Sequence, residues 1–303
     1  MKNNYYNEIK NKLIDNEVYK KVKDYSKNRN DLSTYYEVGK LLIKAQGGEE
    51  RAKYGDNLIK EYSERLFNDI GRKYNITALK RIRQFYLVVE KGVPLAHQLT
   101  WSHYCELLPL KDINEINYYI KTTIEQCLSK RQLRERIRNK EYQRLDDKTK
   151  LKLINKEEID IKDNIKNPII IKNKLDIDKE IVSEKILQRL ILEDIPSFLE
   201  ELGTGYSFIK NEYKIKLGER YNYIDLLLFN IEYNCYVVVE LKVTELKKEH
   251  IGQIQIYMNY IDKHIKTINQ DKTIGLIICK KDNKYVIEYS SDKRILSREY
   301  ELI

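Results

Sequence analysis

Two strand-like runs most constrain how this 303-residue chain can fold: "YNYIDLLLF" (221–229) and "YVVVELKV" (236–243), joined by a short polar turn. Both are rich in Val, Leu and Ile, the pattern of strands buried on both faces, where an unpaired charge is expensive. Yet Asp225 sits between Ile224 and the leucines 226 to 228, and Glu240 and Lys242 follow three valines. Side chains at i and i+2 share one face of a strand, so Glu240 and Lys242 point the same way. With the turn centred between Glu232 and Tyr233, Asp225 falls directly across from Glu240, where antiparallel neighbours have Cβ atoms roughly 5 Å apart. Two carboxylates so placed repel unless something cationic sits between them. A hard divalent cation such as Mg²⁺ meets that need, since it takes oxygen ligands and is usually held by one or two carboxylates with water and phosphate completing the shell. Glu-x-Lys is also a common surface alternation; the apolar company of these residues separates the two readings.

The elements that follow and precede this pair read as an α/β unit. Leu246 to Lys263 carries Ile254, Tyr257, Met258 and Ile261 as an apolar stripe, and Gln253 and Tyr257, four apart, share a helix face. Gly252 beside Gln253 permits a close approach. Thr273 to Cys279 and Tyr285 to Tyr289, parted by Asp282-Asn283, read as further strands. Upstream, Tyr213 to Leu217 reads as a first strand before a turn at Gly218-Glu219. Ile181, Ile186, Leu190 and Ile191 mark one helix, and Pro196 fits the first turn of another that ends at Gly203 to Gly205.

The N-terminal half reads as helical. Residues 32–46, 51–70, 77–91, 100–108, 112–128 and 131–145 have apolar residues at helical spacing, with Gly47-Gly48, Gly71 and Gly92-Val93-Pro94 as breaks. Thr77 suits an N-cap for "ALKRIRQFYLVV", a cationic amphipathic helix with Lys80 and Arg83 off its apolar stripe. A second basic cluster holds Lys130, Arg131, Arg134, Arg136, Arg138 and Lys140, with Leu133 and Ile137 as an inner face. Trp101 and His103, after Thr100, read as packing and capping residues. Between the halves, residues 146–175 are charged and Asn-rich, the composition of an extended connector. The expected organisation is thus a helical domain over 1–145, a linker over 146–175 and an α/β domain over 176–303.

Charge separates the halves. The net charge is +9, and residues 1–150 hold 31 Lys and Arg against 21 Asp and Glu, leaving 25 against 26 for the rest. A positive module tethered to a near-neutral one carrying a carboxylate site suits a partner rich in phosphate. Mean hydropathy is −0.64, and no run approaches the roughly 20 apolar residues of a spanning helix. The segment "MKNNYYNEIKNKL" lacks the apolar core of a secretory signal. Cys105, Cys127, Cys235 and Cys279 form no C-x-x-C pair, which argues against a zinc ribbon or disulfide framework and for a reduced, cytoplasmic protein.

Asp225, then Glu240-Leu241-Lys242, then a helix with Gln253 and Tyr257 resembles the PD-(D/E)XK nuclease core, in the variant with a Gln-x-x-x-Tyr motif after the last catalytic strand. More closely, "YIDLLLF", "VVVELKV" and "GQIQIYMNYID" are similar to the nuclease domain of the YhcG-type PDDEXK family. Its N-terminal domain is resembled by "YYEVGKLLIKAQ", "RAKYGDNLIKEYSERL", "QLTWSHYCELLPLKD" and "SKRQLRERI", so the likeness spans about the whole chain. It implies a restriction-endonuclease-like mixed sheet flanked by helices behind an all-α domain, and metal-dependent hydrolysis of nucleic acid, with DNA favoured and structured RNA left open, in a bacterial-type cytoplasm. Asp225, Glu240 and the Leu241 carbonyl would bind Mg²⁺ or Mn²⁺, with Lys242 and Gln253 beside them. The family core often carries an acidic residue on the helix before its first strand; Glu201 in "ELG" matches best, with Glu200 its rival. Lys80, Arg83, Arg131, Arg134, Arg138 and Tyr257 are the candidate nucleic-acid contacts. A non-cleaving clamp, or a subunit docking into a restriction or defence complex, is the competing expectation. Cleavage at ends or internally, sequence preference and oligomeric state are not legible.

Overall fold

A computed structural model describes residues 5–22, 27–48 and 56–303, which divide into two compact units, Met1–Tyr142 and Gln143–Ile303. The first unit is helical: α1 (Tyr5–Val22), α2 (Lys27–Ala45), α3 (Asp56–Ile70), α4 (Ile76–Glu90), α5 (Trp101–Leu107), α6 (Ile113–Glu125) and α7 (Lys130–Arg138). The expected helix over 51–70 starts at Asp56 here, residues 51–55 lying outside the described residues. α1 adds a helix that apolar spacing does not mark. The expected cap of α4 moves: Asn75, not Thr77, is the N-cap, its side-chain oxygen accepting from the Ala78 N–H at 2.9 Å. Asn and Thr both cap well, but a cap at Asn75 adds Ile76 and Thr77 to the first turn. α2 and α4 approach closely at Gly39, where a Cβ would stand 2.6 Å from both the Ile82 carbonyl oxygen and Tyr86 Cβ. Trp101 packs on Tyr35 and Phe85 at ring separations of 4.7 and 5.4 Å, and His103 Nδ1 accepts from the Thr100 N–H at 3.1 Å. Both residues thus pack and cap as expected.

The second unit opens with α8 (Asp147–Asn155) and β1 (Ile169–Ile171), then α9 (Glu184–Glu193), α10 (Ile195–Leu202), β2 (Tyr206–Leu217), β3 (Arg220–Asn230), β4 (Cys235–Glu245), α11 (Lys248–His264), β5 (Asp271–Lys281), α12 (Lys284–Glu288) and β6 (Ile295–Leu302). Six strands form one mixed sheet in the order β1-β6-β5-β4-β3-β2. β2, β3 and β4 run antiparallel in turn, while β4, β5, β6 and β1 are parallel. Parallel neighbours need a crossover, supplied by α11 between β4 and β5. One face of the sheet buries Leu226, Leu228, Val237, Val239 and Leu241 against α9 and α10; the other buries Leu227, Val238 and Ile277 against Ile254, Met258 and Ile261 of α11. Each such side chain contributes about 1.5–3 kcal/mol on burial, which is why both strand runs read as nearly unbroken apolar sequence. The α/β expectation, helices on both faces of a mixed sheet, therefore stands.

Two expectations change, and one strand lies where none is expected. Residues 146–175 are not a free connector. Ile161, Ile165, Ile169 and Ile171 are buried in the core under α9 and α10, and β1 extends the sheet beside β6. Charged and Asn residues dominate the composition there, but four spaced isoleucines carry the packing. Residues 285–289 are not a strand: α12 turns Val286 and Ile287 together toward the α11 core and leaves Tyr285 and Tyr289 exposed. In a strand those adjacent side chains would face opposite ways. The remaining strand is instead β6, whose run Arg298, Glu299, Tyr300 and Glu301 conceals it; Arg298 Nε is held by the Ile165 carbonyl at 2.9 Å.

Candidate active site

The β3–β4 hairpin sets the register. Buried Asn230 accepts from the Tyr233 N–H at 3.1 Å through Oδ1 and donates from Nδ2 to the Thr204 carbonyl at 3.0 Å, which ties down the turn. The ladder then runs from Asn230↔Cys235 to Leu226↔Val239, so the next pair in register is Asp225 and Glu240. There the strands part. The Leu241 N–H donates to Asp225 Oδ2 at 2.8 Å, in place of a further rung.

Glu240 is 2% exposed and Lys242 8%, yet both are charged types in a strand interior. Lys242 Nζ donates to Glu240 Oε1 at 2.9 Å and reaches Glu184 Oε2 at 3.4 Å. Glu240 Oε2 is buried with no hydrogen-bond partner. Such an orphan acceptor costs on the order of 1–3 kcal/mol or more, so the site is built with one electrostatic demand unmet. Burial, and then the neighbouring Asp225 charge, push the Glu240 carboxyl up to about 7. Burial also raises Asp225, against the opposing pull of the Leu241 N–H and Lys242. Burial alone would lower Lys242, but Glu240, Glu184 and Asp225 outweigh it and hold the ammonium above its ordinary range.

Helices close the site. α9 begins at Ser183, whose hydroxyl caps the Ile186 N–H at 3.3 Å; that start delivers Glu184 to Lys242, and Gln188 one turn on donates to the Asp225 carbonyl at 3.0 Å. On α11, Gln253 Nε2 donates to the Tyr257 hydroxyl at 3.1 Å, and burial followed by the charges of Glu240 and Asp225 raises the Tyr257 phenol. Asp225, Glu240, Leu241 and Lys242 thus lie together where β3 and β4 part, and Gln253 and Tyr257 pair on α11.

Glu201 does not join them. It pairs with the Arg144 guanidinium and accepts from the Ile170 N–H at 3.1 Å, tying α10 to the residues flanking β1. The acidic residue that the helices bring to Lys242 is Glu184. Its signal in the sequence was the Ser183 cap just before it, which marks a helix start but not which strand end that start meets. In the helical unit, Lys80 and Arg83 lie on α4, with Arg83 donating to Gln46 Oε1 at 3.3 Å. Arg134 is engaged by Glu106 through two hydrogen bonds at 2.8 and 2.9 Å, while Arg131 and Arg138 are exposed on α7.

Residues 162–303 match the model of the YhcG PDDEXK nuclease domain, and residues 11–144 that of the DUF1016 N-terminal domain. Residues 162–303 belong to the YhcG PDDEXK nuclease domain family, and residues 11–144 to the DUF1016 N-terminal domain family. A YhcG protein of Escherichia coli (strain K12) is 26% identical over 310 residues, covering 89% of this chain and 83% of its own length. The crystal structure of a repair endonuclease from Pyrococcus abyssi aligns with 40% of this chain at 16% identity and a TM-score of 0.28. The aligned part is 47% of that endonuclease, under half its length. The family's nuclease-domain match starts at Lys162, inside the segment whose composition reads as a linker, which agrees with the placement of Ile165, Ile169 and Ile171 in the core.

Proposed function

We propose that the chain is a metal-dependent nuclease that hydrolyses phosphodiester bonds in DNA, working in the cytoplasm. The observation that carries this reading is Glu240: a carboxylate 2% exposed, one oxygen without a partner, next to a second carboxylate that raises it further. Those donors fit Mg²⁺ or Mn²⁺. Asp225, Glu240 and the Leu241 carbonyl would hold the ion, with water and a phosphate oxygen completing its shell. When bound, such an ion polarises the phosphate and acidifies its water.

The chain's own residues do the rest. Lys242, held protonated by its carboxylate neighbours, is unsuited to take a proton. It orients the attacking water and offsets charge developing on the phosphate. Glu184 steadies Lys242 from the far side, and Gln253 with Tyr257 forms the wall on α11. The basic surplus of residues 1–150 supports a nucleic-acid partner, with Lys80, Arg83, Arg131 and Arg138 as contacts and Arg134 available only by leaving Glu106. The four free cysteines fit a reducing compartment. Membership of a restriction or defence complex belongs to the same proposal.

Cleavage of circular and linear DNA by the purified protein, with Mg²⁺, Mn²⁺ or EDTA, tests it. Metal-dependent cutting that disappears in Asp225→Ala is expected; salt-sensitive DNA binding with no cutting under any metal would instead make the protein a clamp.

A further inference from the structure

The β2–β3 hairpin outruns the strand beside it. β2 pairs with β3 from Tyr206↔Asn230 to Leu217↔Arg220, whereas the β3–β4 ladder stops at Leu226. The ribbon beyond that point projects past the carboxylates, and its faces differ. Ile215 and Ile224 are buried in the core over α11, with Tyr213 and Leu217 packed against them. On the other face Lys214 lies directly across from Tyr223, and Lys216 across from Tyr221. All four are exposed, Tyr221 at 55% and Tyr223 at 52%. Lys214 Nζ stands 3.8 Å from the Tyr221 ring centroid, a diagonal cation–π contact that holds ring and ammonium together.

β2 is an edge strand, and lysines on an edge discourage pairing with another chain. That protection accounts for the lysines but not for two large rings kept open to solvent opposite them. Tyr223 and Tyr221 lie two and four residues before Asp225 along β3, roughly 7 and 14 Å away. The ribbon therefore leads directly off the carboxylate site, and its exposed face is cationic and aromatic.

We infer that this ribbon face is a DNA-binding surface. Lys214 and Lys216 contact phosphates, and Tyr221 and Tyr223 pack on sugars or unstacked bases, about two to four nucleotides from the scissile phosphate at a rise of 3.4 Å per nucleotide. The inference rests on the reading of Asp225 and Glu240 as the cleavage site.

The test uses the full chain in EDTA, with fluorescence anisotropy of a labelled DNA duplex bearing a single-stranded tail, over a salt series. Lys214→Gln with Lys216→Gln should weaken binding about tenfold and reduce the slope of log affinity against log salt by about 2. Tyr221→Ala with Tyr223→Ala should weaken binding by about tenfold with the slope unchanged. Circular dichroism melting of each variant controls for folding, and photocrosslinking of a bromodeoxyuridine-substituted strand to Tyr221 in the unaltered protein gives a readout that needs no variant. If the parent protein cuts DNA with metal while both variants bind as it does and no crosslink forms on the ribbon, this inference fails and the cleavage site stands. If the parent neither cuts nor binds DNA, both fall.

Discussion

Lys242 Nζ stands 2.9 Å from Glu240 Oε1, two residues back along the same buried strand. The contact neutralises one carboxylate oxygen and leaves the other, Oε2, without a donor. Under the proposed metal-dependent reading, Oε2 is the oxygen left open to a cation.

Lys242→Met should lower metal-dependent cleavage of circular DNA by at least about 10²-fold, the scale of losing one preorganised electrostatic contact in a transition state. DNA affinity in EDTA should stay within about threefold, because the lysine is buried and engaged by Glu240 and Glu184. Retained cleavage would remove Lys242 from the mechanism.

The metal-free protein should lose stability as pH rises. The Glu240 carboxyl is raised from 4.5 to about 7 on folding, so between those values the folded state binds more protons than the unfolded chain. Stability then falls as pH climbs through that window and levels off above about 7, by a few kcal/mol at most. Thermal melting in EDTA from pH 4.5 to 8 reads this out. Glu240→Gln should flatten the profile and raise the melting temperature at pH 8, and Mg²⁺ should restore stability to the parent by favouring the ionised carboxylate. A parent profile that stays flat would show that Glu240 is not raised.

Glu201→Ala and Glu184→Gln should separate stability from activity. Arg144 and Glu201 are 9% and 12% exposed, and removing one partner of a buried pair costs about 3–5 kcal/mol. Glu201→Ala should therefore lower the denaturation midpoint yet leave the rate per folded molecule unchanged. Glu184→Gln should do the reverse. A Glu201→Ala protein that folds normally and cannot cut would return Glu201 to the site.

Gly39→Ala should destabilise the helical unit by about 1–3 kcal/mol, the usual cost of overpacking, because its Cβ would meet the Ile82 backbone. Urea unfolding monitored by the fluorescence of Trp101, the lone tryptophan, measures it. An unchanged midpoint would mean that α2 and α4 can separate freely at this crossing.

The sequence alone determined the two strands, their register and the helix face that follows. A period of two fixes which residues share a side, the turn at 231–234 fixes which residue faces which, and an i,i+4 spacing puts Gln253 with Tyr257. Such relations are local, so Asp225, Glu240, Lys242, Gln253 and Tyr257 were legible. Tertiary structure decided the rest. Glu184 and Glu201 are both acidic residues on short helices ahead of β2, and spacing cannot rank them. What separates them is that the start of α9 packs at the open end of β3 and β4, while Arg144 captures Glu201. Likewise β1 and β6 pair across more than a hundred residues, and their charged neighbours mask the few buried isoleucines that hold them. The partner is chosen by how helices dock on the finished sheet, a long-range packing energy that leaves no period in the chain.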